Sequence, residues 1–274
     1  MYFIDQRIQT IANQMGNLRF RDCVALNDWQ YKKGQFFRPA EADACEQPWL
    51  PFDCQKMHWY ADYAGTDQFE GKFNGQKTDF HGLPGTHYWF RTTAAVPQSF
   101  EGKSVWMKIR TQIEEWDDGK NPQFLVFVNG EVIQGADMNH RDIWLRPSAV
   151  GGEELVIDIQ AYTGTLHREF NFLVDLYVRD EEINRFYYDL LIPLQAFPRM
   201  GEDNKTRMDI QTVLNEAINL LDMRLPYSPR FYQTLAQAQA YLTENLYGKM
   251  AGFQDIIATC IGHTHIDVAW WWTV

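Results

Sequence analysis

The sequence predicts a mainly β protein with flanking helices: an antiparallel β-sandwich, then a helical hairpin, then the first strand of an α/β domain. Three observations lead to this fold class. Apolar and polar residues alternate within residues 61–182, apolar residues recur at helical spacing within 183–252, and a two-sided apolar run follows within 253–274. Short strands joined by turn residues, with no helices between them, favour an antiparallel sandwich of jelly-roll type.

A short amphipathic helix is expected at the start of the chain. Apolar residues recur at helical spacing from Ile4 to Met15, and Gly16 can end that helix. Residues 22–60 contain three prolines, and their aromatic residues are spread among charged ones. We therefore assign residues 1–60 to an N-terminal helix followed by loops that wrap over another surface.

The sandwich is predicted over residues 61–182. Apolar and polar side chains alternate from Val105 to Arg110 and from Leu155 to Gln160, and the run from Phe124 to Val128 is typical of a buried strand. The pair Asn129-Gly130 then gives a strong signal for a two-residue hairpin turn. Such turn signals between short apolar runs indicate consecutive antiparallel strands.

A helical linker hairpin is predicted over residues 183–252. One apolar stripe at helical spacing extends from Ile210 to Leu221, and a second extends from Phe231 to Leu242. Ser228 followed by Pro229 marks the start of the second helix, because serine caps a helix N-terminus and proline suits its first turn.

The last segment, residues 253–274, combines a strand with metal-ligand chemistry. Its apolar run from Ile256 to Ile261 has the two-sided character of a strand in a covered parallel sheet. His263, His265 and Asp267 follow at alternate positions, so strand geometry sends them to one side. Imidazole nitrogens and carboxylate oxygens are ligands that zinc prefers. The pattern therefore indicates a zinc site at the end of this strand.

The segment from Gly262 to Trp270 resembles the Gly-His-[Ser/Thr]-His-Ile-Asp-x-Ala-Trp motif of the zinc-dependent class II α-mannosidases, glycoside hydrolase family 38. The resemblance is closest to their cytosolic and bacterial branch. It implies that His265 and Asp267 bind the metal and that Trp270 lies under the mannose ring. It also implies that His263 is a neighbour of the ligands that does not itself bind zinc.

The resemblance extends upstream of this motif. The segments Thr86–Thr92, Val128–Gly130 and Gly135–His140 look like the N-terminal accessory domain of that family. The predicted sandwich would then be this accessory domain, of jelly-roll or galactose-binding-like type, and residues 253–274 would begin the catalytic α/β domain. Trp271 departs from the family pattern, where an aliphatic residue is usual, and this change affects local packing rather than the metal.

The resemblance implies retaining hydrolysis of α-mannosidic bonds in mannose-containing glycans, with one zinc ion per intact catalytic domain. In the family, the nucleophilic Asp, the acid/base residue and the remaining zinc ligands follow the motif, so no catalytic residue is assigned to this chain. We therefore expect the chain to be the N-terminal portion of a longer enzyme of mannose metabolism. The fragment alone is expected to be inactive and to bind zinc weakly or not at all.

Other interpretations stay open. The chain could be a free-standing carbohydrate-binding or interaction module whose tail only resembles a zinc strand. It could also begin a metal enzyme of the amidohydrolase type, in which both His263 and His265 would bind metal. That alternative requires neither Asp267 nor Trp270. A polar strand end with hydrogen-bonded histidines is the simplest alternative of all.

Two further polar clusters have simple structural explanations. The carboxylates between Glu114 and Asp118 precede Gly119, which favours a turn over a catalytic pair. Asp137, Asn139 and His140 follow the predicted hairpin, and such residues often hydrogen-bond their own backbone in turns. The alternative for this second cluster is that its loop borders the active site or an oligomer contact.

Aromatic residues are abundant, with 10 Trp and 13 Tyr. They could form sugar-stacking platforms, but aromatics dominate core burial, and a large core is favoured. Trp89 is expected in the core and Arg91 on the surface. No aromatic cluster in the sequence marks a sugar platform, so the sandwich is expected not to bind free sugars tightly.

Composition narrows the function classes further. A chain of 274 residues with a net charge of −11 supports one large or two modest domains and argues against binding to nucleic acid or anionic membranes. The four cysteines form no Cys-x-x-Cys pair, and residues 1–7 lack a signal-peptide pattern, so we expect a cytoplasmic protein with reduced thiols. The apolar strand at 256–261 can pair with another copy, so a homo-oligomer is a further expectation.

Overall fold

A computed structural model describes residues 2–60, 72–73, 76–77, 86–112, 122–164 and 169–250. Within these residues the chain forms two compact units. Residues 22–178 contain most of the strands, whereas the residues up to 21 together with 179–250 contain the long helices.

Fourteen strands lie in the described residues. In chain order they are β1 Phe20–Leu26, β2 Asp28–Lys33, β3 Leu50–Asp53, β4 Trp59–Tyr60, β5 Lys72–Phe73, β6 Gln76–Lys77, β7 His87–Ala95, β8 Val105–Arg110, β9 Gln123–Val128, β10 Glu131–Ala136, β11 Asp142–Arg146, β12 Glu154–Tyr162, β13 Glu169–Phe170 and β14 Leu173–Arg179. A short helix, α2, spans Pro39–Ala44 between β2 and β3.

Two antiparallel sheets form the sandwich. One sheet has four strands in the order β1-β14-β8-β11, and the other has six in the order β10-β9-β12-β7-β2-β3. One face of each sheet contributes to a common apolar core that contains Phe90, Met107, Ile157 and Leu176. This arrangement confirms the predicted fold class, a mainly β protein with an antiparallel sandwich and flanking helices.

Residues 22–60 differ from the expectation of wrapping loops. They contribute β1 to the four-stranded sheet and β2 and β3 to the six-stranded sheet. Trp29 and Phe52 from this segment are almost fully buried in the sandwich core. In β2 and β3 the inward positions are largely aromatic and the outward ones mostly polar or charged, a pattern that resembles aromatics scattered among charges. In β1 most residues are exposed, so its sequence gives no clear alternation. The boundary of the sandwich therefore lies near residue 20 rather than 61.

The helical unit contains four long helices: α1 Tyr2–Leu18, α3 Glu181–Ala196, α4 Lys205–Asn219 and α5 Pro229–Leu242. A π-helical turn, Thr243–Gly248, continues α5. The apolar stripes of these helices meet in one core, which contains Ile8, Phe186, Leu214 and Leu235. The predicted hairpin of α4 and α5 is present, but α3 was missed. Pro193 lies inside α3, and a proline there weakened the helical signal.

No helix among the described residues is long and apolar enough to cross a membrane.

Candidate functional site

The residues predicted for the zinc site lie outside the described residues. His263, His265, Asp267 and Trp270 all belong to residues 251–274. Their roles in binding zinc and sugar therefore stay predictions. Within the part of the chain that the structure describes, no group of three or more His, Cys, Asp or Glu side chains could hold a metal ion.

The loop between β10 and β11 contains the predicted polar cluster. The Asp137 carboxylate accepts hydrogen bonds from the backbone N–H groups of Asn139 (2.8 Å) and His140 (2.7 Å), and it lies 3.0 Å from Nδ1 of the His140 ring. Burial raises the pKa of Asp137, but the backbone hydrogen bonds from His140 and Asn139 outweigh it and lower the pKa. The carboxylate is therefore engaged in stabilising the turn. The carboxylates of residues 114–118 lie outside the described residues.

An open groove of about 670 Å³ lies on the outer face of the six-stranded sheet. Asp28 of β2 and Asp53 of β3 are direct register partners at one end of this groove. Gln30 of β2 is the register partner of Arg91 of β7. Strand alternation turns these polar side chains outward while their neighbours enter the core. The other polar residues of the lining are Asn27, Gln55, Thr92 and Thr93.

Arg91 is held by two carboxylates and an aromatic ring. Its Nε donates to Oδ1 of Asp158 at 2.5 Å, and its two Nη atoms donate to the Asp43 carboxylate at 2.5 and 3.1 Å. The guanidinium carbon lies 4.5 Å from the centre of the Trp49 ring, and the Trp49 indole N–H donates to Asp43 at 3.2 Å. These contacts fix the guanidinium in a single orientation.

The two carboxylates that contact Arg91 have different environments. Asp158 is only 1% exposed, and burial raises its pKa despite the opposing hydrogen bond from Arg91. Asp43 is more exposed, and the hydrogen bond from Arg91 lowers its pKa. Burial opposes ionisation of Arg91, but the hydrogen bonds to Asp43 and Asp158 outweigh it and raise the pKa of Arg91. The network therefore holds a permanent cation at one end of the groove.

A buried lysine fastens the neighbouring segment to the same sheet face. Lys32 is 3% exposed, and its Nζ donates to the carbonyl oxygens of Ala42 (2.5 Å) and Cys45 (3.3 Å) at the end of α2. The Gln160 side chain donates to the carbonyl of Phe36 at 2.7 Å. A small apolar cluster lies beneath this segment and contains Ala42, Trp89, Phe127 and the partly buried Phe36, Trp49 and Leu125. Residues 36–49 thus cover part of the outer face beside the open groove.

The groove offers the polar groups of a binding surface, and two carboxylates at or beside it do not suit general-acid catalysis. Carboxylates beside amides offer the acceptors and donors that a polar, hydroxylated ligand requires. The hydrogen bond from Lys56 to Asp53 (2.9 Å) lowers the pKa of Asp53. A glycosidase general acid needs a raised pKa, so Asp53 is unsuited to that role. The pKa of Asp158 is raised, but this residue is buried and bonded to Arg91.

The sequence predicted the burial of Trp89 but not the ion-pair network of Arg91. Trp89 is fully buried as predicted, although it packs under residues 36–49 on the outer face rather than in the main core. Arg91 was predicted as a surface residue, and it is instead half-buried in an ion-pair network. Its partner Asp158 is one of the polar positions in the alternation from Leu155 to Gln160, and nothing in that pattern indicated an ion pair. Asp43 gave no signal, because its segment looked like an irregular loop.

The chain is similar in sequence to two curated proteins. It is 22% identical over 207 residues to α-mannosidase 2C1 of Mus musculus, and 23% identical over 205 residues to α-mannosidase 2C1 of Homo sapiens. Each alignment covers 67% of this chain and 18% of the relative, so the matched region spans less than a fifth of those proteins. No family model matches the chain.

Among solved structures, the β-glucuronidase of Ruminococcus gnavus is 12% identical and matches with a TM-score of 0.36, covering 59% of this chain and 30% of that one. A provisionally assigned β-galactosidase from Bacteroides fragilis is 19% identical, with a TM-score of 0.38 over 58% of this chain and 23% of that one. Both TM-scores are below 0.5, so neither match carries weight in the assignment. The sequence similarity supports a relation between this chain and glycoside hydrolases, and the described residues show an antiparallel β-sandwich.

Proposed function

We propose that this chain is the N-terminal portion of a retaining, zinc-dependent α-mannosidase that hydrolyses α-mannosidic bonds in mannose-containing glycans. The observation that carries the proposal is the segment Gly262–Trp270, which agrees with the family 38 motif at each fixed position. The 22% identity to the mouse α-mannosidase 2C1 supports it. The sandwich is then an accessory scaffold, and the catalytic carboxylates belong to a further part of the enzyme.

The donor set of the motif fits zinc. Imidazole nitrogen and carboxylate oxygen are preferred zinc ligands, and His265 and Asp267 would hold the ion. When bound, zinc supplies a Lewis acid for the vicinal hydroxyl groups of the sugar. Trp270 would stack under the mannose ring and exclude water from that face. A catalytic zinc site usually has three protein ligands, so at least one more ligand comes from the longer enzyme.

The same proposal includes a cytoplasmic location and neutral glycan substrates. The net charge of −11 disfavours binding to nucleic acid and anionic lipid surfaces, and four cysteines without a Cys-x-x-Cys pair suit a reducing compartment. Pairing of two copies along an apolar strand edge would produce a homo-oligomer.

The test uses the full-length enzyme with single substitutions in the motif. His265→Ala and Asp267→Ala should each lose bound zinc, measured by elemental analysis, and should lose hydrolysis of p-nitrophenyl α-mannoside. Trp270→Ala should keep its zinc and lower kcat/KM by roughly tenfold or more, because stacking on the sugar is lost. Proton NMR of the first product should show the α-anomer, as retention requires.

His263→Ala is the matched control for the zinc ligands, and it should keep most of the metal. If His263→Ala loses zinc and Asp267→Ala keeps it, the amidohydrolase-type alternative is correct and the proposal fails. The 274-residue chain alone should not hydrolyse the aryl mannoside with added zinc. Turnover above background by that chain would show that the catalytic carboxylates have been misplaced.

A further inference from the structure

A pair of stacked tryptophans lies on the outer face of the four-stranded sheet. Trp106 of β8 and Trp144 of β11 are direct register partners. Their ring centres are 5.9 Å apart and the rings are within 20° of parallel. Trp144 is 50% exposed, which is unusual for so large an apolar side chain, whereas Trp29, Trp59 and Trp89 on other described strands are buried. The pair is therefore an aromatic surface rather than part of the core.

One hydroxyl group fixes the orientation of both rings. The Ser104 Oγ accepts a hydrogen bond from the indole N–H of Trp106 at 2.9 Å and another from that of Trp144 at 3.2 Å. A hydroxyl oxygen has two acceptor lone pairs, so it can satisfy both donors at once. Both indole N–H groups of the pair therefore have a hydrogen-bond acceptor. The Trp144 ring therefore keeps one orientation at little further entropic cost when a ligand binds.

The free face of Trp144 lies at the end of the sheet. Among the described residues, β11 is the last strand in the order β1-β14-β8-β11, so one ring face contacts Trp106 and no described strand lies beyond the other. Asp142 and Lys108 are register partners two positions before Trp144 and two after Trp106, so strand alternation places them on the same sheet face as the tryptophan pair. Asp142 accepts a hydrogen bond from the Tyr177 hydroxyl (2.7 Å) and pairs with Lys108 (3.6 Å). A single indole face with a charged border is small for a protein interface, which usually covers roughly 800 Å² on each partner.

We propose that Trp144 is a carbohydrate-binding platform that stacks on the apolar face of a pyranose ring in a neutral oligosaccharide. The C–H groups of that sugar face carry partial positive charge and meet the negative face of the indole ring. Hydroxyl groups at the ring edge meet Asp142 and Lys108, which provide an acceptor and a donor. The proposal departs from the expectation drawn from the sequence, that no aromatic cluster marks a sugar platform, and the experiment below decides between them.

The experiment titrates the 274-residue chain with a linear α-mannotriose and, separately, with cellotriose. Saturation-transfer NMR detects contact with the sugar, and calorimetry gives the dissociation constant. At least one trisaccharide should bind, with a dissociation constant on the order of millimolar, as a single stacking contact allows. Trp144→Ala should weaken binding by about tenfold or more, whereas Trp144→Tyr should retain it within about threefold.

Two further variants sharpen the test. Phe37→Ala removes another aromatic side chain, which is 70% exposed, and should leave binding unchanged. Ser104→Ala should weaken binding by roughly threefold, because the ring loses its fixed orientation while the stacking surface remains. Circular dichroism and thermal melts must show that each variant is folded, and Trp144→Tyr keeps the test valid if Trp144→Ala does not fold.

The proposal is overturned if neither trisaccharide binds or if Trp144→Ala binds as well as the unmodified chain. It is also overturned if Trp144→Ala converts an oligomer into a monomer in sedimentation, since the ring would then be a contact between copies. The choice of α-mannotriose rests on the proposed function, but the platform does not. Binding of cellotriose alone would support the platform and count against a mannan ligand, while zinc loss in His265→Ala tests the enzyme separately.

Discussion

At the residue scale, the ion pair between Arg91 and Asp158 joins β7 to β12 through a buried carboxylate. The Asp158 side chain is 2% exposed, and the Arg91 side chain is 21% exposed. A buried ion pair can be roughly neutral for stability as a whole, but removal of one partner leaves an uncompensated charge. The sheet face therefore depends on Arg91 to keep Asp158 ionised without a large penalty.

We predict that Arg91→Met lowers the free energy of unfolding by about 3–5 kcal/mol at neutral pH, measured by urea denaturation. The double variant Arg91→Met with Asp158→Leu should recover most of that loss, because no buried charge remains. If the double variant were as unstable as the single variant, the loss would come from packing of the arginine side chain and not from its charge.

The penalty in Arg91→Met should depend on pH in a defined direction. Burial already raises the pKa of Asp158, and loss of the arginine removes the main group that lowers it. A carboxyl group with a raised pKa in the folded state binds its proton more tightly there than in the unfolded chain. Proton binding by Asp158 therefore stabilises the folded state at low pH, and this stabilisation is lost as the pH rises through the folded-state pKa. The deficit of Arg91→Met should therefore be smaller at about pH 4 than at about pH 8.

At the element scale, the start of α5 has a well-defined cap. The Ser228 Oγ accepts a hydrogen bond from the backbone N–H of Phe231 at 3.2 Å, and Pro229 occupies the first turn. We predict that Ser228→Ala costs about 1 kcal/mol of stability, whereas Ser228→Asp costs no more than a few tenths. Helical circular dichroism during urea unfolding provides the measurement. Equal stability of the alanine variant and the parent would show that the cap bond contributes nothing.

The ammonium group of Lys32 attaches the segment that contains α2 to the sheet. We predict that Lys32→Met leaves the carbonyls of Ala42 and Cys45 without their donor and costs about 1–3 kcal/mol. Hydrogen exchange of residues 36–49 should become faster, because this segment loses a main attachment to the sheet. Lys205→Met is the control, since its side chain is 85% exposed and only pairs locally with Asp209. Unchanged exchange in Lys32→Met would contradict the assignment.

At the scale of the whole molecule, the limits of the sandwich determine which part of the chain contains a complete core. All strands of the two main sheets lie between residues 20 and 179. Trp29 and Phe52 make edge-on contacts with Phe172 and Phe90, with ring centres 5.0 and 5.1 Å apart. Loss of several such side chains would cost about 3–5 kcal/mol each, against a typical total stability of about 5–15 kcal/mol.

We predict that a protein of residues 20–180 melts cooperatively in calorimetry. A protein of residues 61–180, which begins at the boundary expected from the sequence, should not melt cooperatively and should bind a hydrophobic dye. The shorter protein lacks β1, β2, β3 and the buried Trp59, so its sheets and core are incomplete. A cooperative melt of the shorter protein would mean that the N-terminal strands are dispensable.

Local patterns predicted much of the fold, and their failures have physical causes. The hairpin at Asn129-Gly130 was predicted correctly, because two residues with positive φ suit a tight turn between twisted strands. The cap at Ser228 was predicted correctly for a similar local reason. By contrast, β2 is paired with β7, and its register partners Gln30 and Arg91 are far apart in sequence. Its strand character depends on that distant pairing more than on its own alternation.

The sequence by itself determined the fold class, the acidic charge, and the motif from His263 to Trp270 on which the proposed zinc site rests, because each depends on residue type and local spacing. Only the tertiary structure decided that Arg91 joins Asp158 and that Trp106 stacks on Trp144. Both pairs depend on strand register between segments distant in the chain, and a shift of one residue would turn each partner to the other face of the sheet. Register is set by the packing of the complete core, which no short stretch of sequence contains.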